Sequence, residues 1–267
     1  MGLLKEFFKD RDNKSEAIEA YNLGLAAKYR GEWKASLAHN QLAAELNAED
    51  EATWWNLGIA ATALSNWSEA RRAWAKCGIE LSSADGEVLW DSCTACVRLN
   101  PQESGEVVWG LRIDPARIRI LNVPLASSER RYGDILVHDG AQEGTRTSRG
   151  NEYPVFNELG VWRRSAHSTF EVELGISTAS AIESLEQRCR QSDMWVEDWG
   201  TVRSLCTECS RGNPGKHTCT TEETGQSKFG IAAKSEHGLR KVLDQWGEVE
   251  DGVSVGALHL VVSGVSY

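Results

Sequence analysis

The chain has 267 residues, of which 41% are hydrophobic and 25% charged, and this composition is typical of a soluble protein with one or two globular domains. The net charge of −10 disfavours a nucleic-acid groove, which needs a basic face. The opening residues carry charges where a secretory signal needs an apolar run, and no stretch is apolar enough to span a bilayer. We therefore expect a cytoplasmic protein that does not bind membranes, for which nucleic acid is a disfavoured partner, and that keeps its seven cysteines reduced.

A repeat dominates the first third of the chain. Residues 20–24 read Ala-Tyr-Asn-Leu-Gly and residues 54–58 read Trp-Trp-Asn-Leu-Gly, so the two glycines are 58 − 24 = 34 positions apart. The same offset relates Trp33 to Trp67. Small glycines let two helices approach closely, and the tryptophans can fill the groove between them. The pattern resembles the tetratricopeptide-repeat (TPR) family, which has a 34-residue period and opens each repeat on W-x2-L-G.

The resemblance implies a binding surface, because the first helix of each TPR hairpin lines the concave face of the array. Position by position, it places nine residues on that face: Ile18, Tyr21, Leu25, Lys28, Tyr29, Ala52, Trp55, Ile59 and Thr62.

A third repeat does not follow, since one further step of the same period breaks the pattern. The segment 86–99 instead predicts a single helix, stopped by Pro101, that caps the array. Its apolar face would consist of Leu89, Cys93, Cys96 and Val97. Cys93 and Cys96 could also be half of a metal site, although a packed helical turn is the preferred interpretation. Residues 1–100 are thus expected to form one TPR-like helical domain.

Short β-rich runs separated by turn residues replace the helical period after Pro101. Strands are expected at 107–111, 118–123 and 135–137, with a further edge-like strand at 153–156 because of its proline. Residues 101–166 are therefore predicted to form a small antiparallel β segment.

Residues 167–267 predict the element order β-α-β-β-α-β, which is that of a ferredoxin-like unit. Ser235 is the expected N-cap of the second helix, whose buried stripe would be Leu239, Val242, Leu243 and Trp246. The predicted elements are strand 169–174, helix 179–190, strand 195–205, strand 229–233, helix 235–246 and strand 255–262. The fold class expected for the whole chain is therefore α+β.

The loop between the second and third of these strands carries the sharpest chemical signal. Cys206 and Cys209 form a Cys-x2-Cys pair, and His217 and Cys219 follow after a Gly-Asn-Pro-Gly reversal. Three thiolates and one imidazole are a set that Zn²⁺ takes tetrahedrally, with no position left open for catalysis. We therefore expect a structural zinc clip. A disulfide, a redox-active pair and free thiols are the alternatives.

No familiar catalytic motif is present, so we expect a protein that is not an enzyme. The pairs His138-Asp139 and His167-Ser168 are predicted to be strand-end or surface residues. Glu152 and Glu158 are predicted to be solvated rather than an acid–base pair.

Together these features predict a non-catalytic protein–protein interaction protein. Beyond the repeat, the whole chain resembles uncharacterised bacterial TPR proteins, and acidic, Trp-rich binders of this kind include immunity proteins. That resemblance implies a cognate toxin with a basic domain as the partner. The alternatives are a TPR adaptor or assembly chaperone and, with less support, an RNA-binding regulator that uses the zinc loop.

Overall fold

The computed structural model describes residues 2–81, 86–87, 93–103, 105–176, 178–200 and 228–265, with side chains from residue 13 onward. By its internal contacts the chain divides into two units. The first holds the N-terminal helices together with the short segments Arg112–Ile118 and Val137–Gly140. The second holds Thr94–Leu111, Arg119–Leu136 and the chain from Ala141 onward.

Four consecutive helices build the first unit, and each packs against the next along the chain. Where the glycines of the repeat stand, the helices are too close for a side chain. A Cβ atom on Gly24 would lie 2.6 Å from the Asn40 amide, and one on Gly58 would lie 2.8 Å from the Trp74 ring. The helices are α1 (Gly2–Tyr29), α2 (Trp33–Leu46), α3 (Glu51–Ala63) and α4 (Trp67–Lys76).

The turns that end α1 and α3 have the same geometry and lie one repeat period apart. Gly31 and Ser65 both adopt positive φ, at 70° and 57°. The amide of Gly31 donates to the Lys28 carbonyl at 3.0 Å, and the amide of Ser65 donates to the Thr62 carbonyl at 3.0 Å. The repeat found in the sequence is therefore also a repeat of backbone structure.

The prediction of a capping helix at 86–99 is wrong for the residues that the structure describes there, which are 86–87 and 93–99. Cys93–Arg98 is a strand, β1, and its last four residues are all buried. A short apolar run fits a buried strand as well as a helix, so periodicity could not separate the two. Leu89 lies outside the described residues, and Cys93 is exposed whereas Cys96 and Val97 are buried.

Five strands form a closed barrel in the order β1-β2-β3-β4-β5. β1 pairs with β5 in parallel, with Cys96 opposite Val155, so a strand from before residue 101 joins the strands of the segment predicted for 101–166. β5 has β4 and β1 as its neighbours, and its ladder to β1 covers Val155–Asn157. The edge position predicted for 153–156 is therefore wrong for Val155 and Phe156, whereas Pro154 precedes that ladder. The remaining barrel strands are β2 (Val107–Arg112), β3 (Arg117–Ile120), β4 (Ile135–Ser148) and β5 (Asn151–Arg163).

The last part of the second unit is a four-stranded sheet with two helices, so the chain is an α+β protein. Its strands follow the spatial order β7-β8-β6-β9, and β6 is antiparallel to both β8 and β9. In chain order the elements are β6 (Ser168–Gly175), α5 (Ala179–Gln191), β7 (Trp195–Asp198), β8 (Lys228–Ala233), α6 (Glu236–Val249) and β9 (Ser254–Val262).

One face of this sheet packs on α5 and α6 through an apolar core. Phe170, Val172 and Leu174 of β6 alternate into it. The stripe predicted for α6 is confirmed, since Leu239, Val242, Leu243 and Trp246 are buried. Ser235 is the N-cap, as predicted, because its hydroxyl accepts a hydrogen bond from the Gly238 amide at 3.2 Å. In the described part of the chain, no helix is long and apolar enough to cross a membrane.

Candidate functional site

The exposed half of the predicted partner surface lies on α1. Ile18 is 58% exposed and Tyr29 is 60% exposed, while Tyr21 and Leu25 are half-buried between them. Exposed Lys14 continues the same spacing of three or four residues, so all five side chains share one face of the helix. We call these five residues, Lys14, Ile18, Tyr21, Leu25 and Tyr29, the α1 row. Sequence reasoning missed Lys14, which lies one turn before Ile18, the first residue that the resemblance places on this face.

Three of the four predicted surface residues on α3 are covered, fully or in part, by contacts within the first unit. Ile59 and Thr62 are buried, and the Thr62 hydroxyl accepts a hydrogen bond from the Trp74 indole at 3.3 Å. Trp55 is half-buried against Gly140, where a Cβ atom would overlap the indole ring. Ala52 remains exposed. The part of the predicted surface that solvent reaches is therefore Ala52, part of Trp55 and the predicted members of the α1 row, Ile18, Tyr21, Leu25 and Tyr29.

Lys28, a further residue of the predicted surface, is buried by contacts within the first unit. Its ammonium group donates to Asn56 Oδ1 at 3.0 Å and lies 3.1 and 3.2 Å from the two carboxylate oxygens of Asp139. Burial lowers the pKa of Lys28, and the Asp139 carboxylate opposes that shift. Because both side chains are almost fully buried, the pair fastens the segment Val137–Gly140 to α1 and α3 rather than serving as an open ligand site.

The prediction that His138-Asp139 lies at a strand end or on the surface is therefore wrong. Both residues lie inside β4 and are buried. Burial, with a smaller contribution from Arg112, lowers the pKa of His138 to about 4, so its imidazole is neutral at physiological pH. Its Nδ1 atom lies 2.8 Å from the Asp139 carbonyl oxygen, which suits a structural histidine.

A second buried ion pair belongs to the same unit. Arg117 Nε donates to Asp114 Oδ2 at 2.5 Å, and both side chains are fully buried. Arg117 Nη1 also donates to Glu87 at 2.6 Å, and its guanidinium lies 4.8 Å from the centre of the Trp67 ring. One tryptophan of the sequence repeat thus contributes to holding the segment Arg112–Ile118 in this unit.

In the second unit, Ser165, His167 and Asp193 form an array with the composition of a hydrolase triad. Ser165 Oγ lies 3.1 Å from His167 Nδ1, and His167 Nε2 lies 3.0 Å from the Asp193 carbonyl oxygen. The buried Asp134 carboxylate, however, accepts the Ser165 amide at 2.6 Å. A carboxylate there would repel the oxyanion of an acyl-transfer reaction. The array therefore suits a role in fixing the turn before β6, and the pair His167-Ser168 lies at the strand end predicted for it.

Two half-buried glutamates with perturbed acidity also lie in the second unit. Burial raises the pKa of Glu106 to about 7, while a hydrogen bond from the Leu125 amide opposes the shift. Burial likewise raises the pKa of Glu197, whose carboxylate accepts two hydrogen bonds from Asn122 at 2.8 and 2.9 Å. Sequence reasoning missed this pair because its members lie far apart along the chain.

The glutamates considered in the sequence occupy different environments. Glu152 is exposed, as predicted. Glu158 is buried and pairs with Arg130 at 2.7 Å, so the prediction that it is solvated is wrong. It also accepts the Asn100 amide at 3.2 Å and thereby holds a turn of the barrel.

The predicted zinc ligands Cys206, Cys209, His217 and Cys219 lie outside the described residues, in the range 201–227. Within the described ranges, no group of three or more His, Cys, Asp or Glu could hold a metal ion. Gly200 and Lys228, which border that range in sequence, line a pocket of about 270 Å³, and the pocket wall carries the Glu171–Lys228 ion pair at 2.9 Å.

Comparison of the chain with known proteins does not assign it to a family. No protein-family model and no curated protein matches the chain. Among solved structures, a hypothetical protein from Neisseria gonorrhoeae aligns with 66% of this chain and 99% of its own, at 10% sequence identity and a TM-score of 0.30. A similarity at this level supports no inference about fold or function.

Proposed function

We propose that this chain is a cytoplasmic, non-catalytic protein-binding protein, with TPR-like hairpins at its N-terminus and a ferredoxin-like unit at its C-terminus. The observation that carries the proposal is the α1 row. It exposes two large side chains, Ile18 and Tyr29, by more than half on the face that the repeat assigns to partner binding. An exposed apolar cluster of this kind is typical of an interaction site.

The size of the row suits a protein segment. From Ile18 to Tyr29 it extends over about 16 Å of helix, which corresponds to two helical turns or more of a docked partner element. The Lys28–Asp139 pair and the Trp55–Gly140 contact remove Lys28 and part of Trp55 from the predicted surface. The row therefore favours one short partner element over an extended peptide threaded along a long groove.

The partner that we propose is a cognate toxin with a basic domain, which would make this chain an immunity protein. The net charge of −10 supports long-range attraction of such a domain. An adaptor or assembly chaperone is the second candidate, favoured by the same row because client segments also dock on exposed apolar helix faces. The two functions differ in the number of partners, one for an immunity protein and several for an adaptor.

Co-purification of the tagged full chain from its native cell tests the binding surface. We expect a stoichiometric protein partner that is lost with Ile18→Asp, because the charge would have to be buried at the contact. Leu23→Asp is the matched control, since Leu23 lies on the same helix, is 47% exposed and lies outside the α1 row. Equal retention of the partner by both variants would rule out the row as the binding surface.

Co-expression tests the immunity function separately. The wild-type chain should restore growth to cells that produce the toxic partner, and Ile18→Asp should not. A chain that binds its partner but never protects the cell would leave the adaptor function as the better account.

The zinc clip remains part of the proposal because its four residues keep the spacing of a Cys3His ligand set. Metal analysis of the purified full chain should give one zinc per chain, and Cys206→Ser should lower both the zinc content and the melting temperature. Absence of stoichiometric zinc, together with an unchanged melting temperature of the variant, would exclude the clip.

A further inference from the structure

The two outer strands of the C-terminal sheet differ in how they are protected from pairing with another strand. β7 has four residues and ends on Glu197 and Asp198, and short, charged edges resist pairing. β9 has nine residues, Ser254–Val262, without a proline and without an Asp, Glu, Lys or Arg. Among the described strands it pairs with β6 on one side, so its other side is an edge of the sheet.

Apolar side chains line this edge on the core face of the sheet. Leu258 lies opposite Val172 of β6, which is a core residue. Leu260 lies opposite Phe170, another core residue, and is nevertheless 53% exposed. Val255, near the start of the strand, is 39% exposed. The core face therefore continues to this edge with part of its apolar surface open to solvent, as is typical of an interaction site.

The charge around this edge has one sign. Residues 242–267, which include the end of α6 and all of β9, contain four acidic residues and no Lys or Arg. The four are Asp244, Glu248, Glu250 and Asp251, and all except the half-buried Glu250 are exposed. A strand that covers the apolar edge therefore approaches it through a negative field.

A further acidic side chain lies on the opposite face of the sheet. Glu173 is exposed and alternates along β6 with the core residues Val172 and Leu174. It lies against Gly256 of β9, where a Cβ atom would be 3.0 Å from the Glu173 carbonyl oxygen and 3.2 Å from its Cβ atom. Because Gly256 has no side chain, a long basic side chain on a strand beside β9 can pass over it toward the Glu173 carboxylate.

We propose that the β9 edge binds an extended strand of a protein partner, with apolar side chains on one face of that strand and Lys or Arg on the other. This inference rests on the proposed function for the existence of a basic protein partner. In binding of this kind, main-chain hydrogen bonds provide affinity and alternate side chains provide specificity. A second copy of this chain is a poor occupant, because it would bring the same four acidic residues to the edge.

The register shifts within β9 limit where the added strand can pair. They occur on both sides of Leu258–Leu260, so the regular part of the edge is this short stretch. We therefore place the backbone pairing at Leu258–Leu260 and expect the flanking apolar and acidic side chains to contribute most of the affinity. For an isolated strand we expect a dissociation constant on the order of 100 µM.

Binding of synthetic peptides to the purified full chain tests the proposal. The probe has the length of β9, nine residues, alternates Val with Lys and is blocked at both ends. Hydrogen exchange resolved by residue should slow at those amides of Leu258–Leu260 that face away from β6, and should stay unchanged at Trp195–Asp198 of β7. A peptide that alternates Val with Glu is the matched control and should bind at least about 10-fold more weakly, because it meets like charge.

Variants of the chain separate the apolar part of the contact from the charged part. Leu260→Lys places a like charge in the apolar edge and should weaken binding of the Val–Lys peptide by about 10-fold. Glu248→Lys/Asp251→Lys reverses acidic charge outside the strand and should weaken it by about 5-fold, with a smaller dependence on salt. Leu42→Lys is the control, since Leu42 is 39% exposed in the first unit and should leave binding unchanged.

Four results would overturn the proposal. They are no protection of Leu258–Leu260 by the Val–Lys peptide up to about 1 mM, equal protection by the two peptides, binding that Leu260→Lys leaves intact, and outward amides already protected in the free chain. None of these measurements uses the native partner, so they are independent of the α1 row. Ile18→Asp can fail to release the partner while the peptide still binds β9, and the reverse also holds.

Discussion

The interior of the first unit and the layer between the C-terminal sheet and its helices are stabilised by different means. The first unit buries two ion pairs, Lys28–Asp139 and Arg117–Asp114. The layer between the C-terminal sheet and its helices is apolar, and Trp246 is its largest fully buried side chain. Its one indole N–H donates to the Ala181 carbonyl at 3.0 Å. The interior of the first unit therefore depends on charges that must stay paired, whereas the layer between the C-terminal sheet and its helices depends on volume that must stay filled.

Removing volume from the C-terminal layer should have the largest effect on stability. Trp246→Ala leaves a cavity among buried side chains and should lower the free energy of unfolding by about 3 to 5 kcal/mol, as measured by urea denaturation. Val249→Ala on the same helix removes a side chain that is 65% exposed and should change it by less than about 0.5 kcal/mol. Similar losses in both variants would contradict the assignment of the core face.

Breaking one buried ion pair in the first unit should cost about 3 kcal/mol, but the loss should be reversible by a second substitution. Asp139→Leu removes the carboxylate that balances the buried Lys28 ammonium group. The ammonium group then keeps only a neutral hydrogen-bond acceptor, Asn56, among these two partners, and an uncompensated buried charge accounts for the cost. Lys28→Met/Asp139→Leu removes both charges and should recover most of it. Additive losses in this double-mutant cycle would show that the unit does not depend on pairing.

The stability of the chain should depend on pH through Glu106, a half-buried glutamate of the second unit whose pKa is raised. The folded-state pKa of Glu106 is about 7 against an ordinary value of 4.5, so the folded chain holds an extra proton between these values. Stability contributed by this group is therefore lost as pH rises from about 4.5 to 7. At pH 8 Glu106→Gln should be more stable than the wild type by about 1 to 3 kcal/mol.

The same comparison at pH 4 is the control, because there the wild-type carboxyl is mostly protonated in both states and the variant should gain little. Thermal melts at the two pH values measure the difference. A gain that is equal at pH 4 and pH 8 would show that it does not come from the carboxyl charge.

The smallest effect should come from the helix caps of the C-terminal layer. Ser235→Ala removes the acceptor of the Gly238 amide, and Thr178→Ala removes that of the Ala181 amide. Each should lower the free energy of unfolding by about 1 kcal/mol in urea titrations. A loss as large as that of Trp246→Ala would mean that these residues do more than cap helices.

Local features of the fold could be predicted from the sequence, because a few neighbouring residues determine them. Gly24 and Gly58 indicated close helix contacts, and Ser235 indicated a helix start. β1 could not be predicted, since its strand conformation is set by parallel pairing with β5, which lies far away in the sequence. The apolar spacing within so short a run fits both a helix and a strand.

The site was predictable in part for the same reason. The repeat indicated Ile18 and Tyr29, which the structure leaves exposed. It also indicated Lys28, Ile59 and Thr62, which are buried. The contact of Lys28 with Asp139 joins residues 111 positions apart, and no local pattern encodes it. A surface deduced from family position alone therefore overestimates what a partner can reach.

The proposed function is tested most directly by photo-crosslinking at single positions of α1 in the native cell. A photoreactive phenylalanine analogue at position 18 or 29, within the α1 row, should crosslink to one protein partner. The same analogue at position 23, outside the row on the same helix, should not. Crosslinks of equal yield from all three positions, or from position 23 alone, would contradict the account of this face as the partner-binding surface.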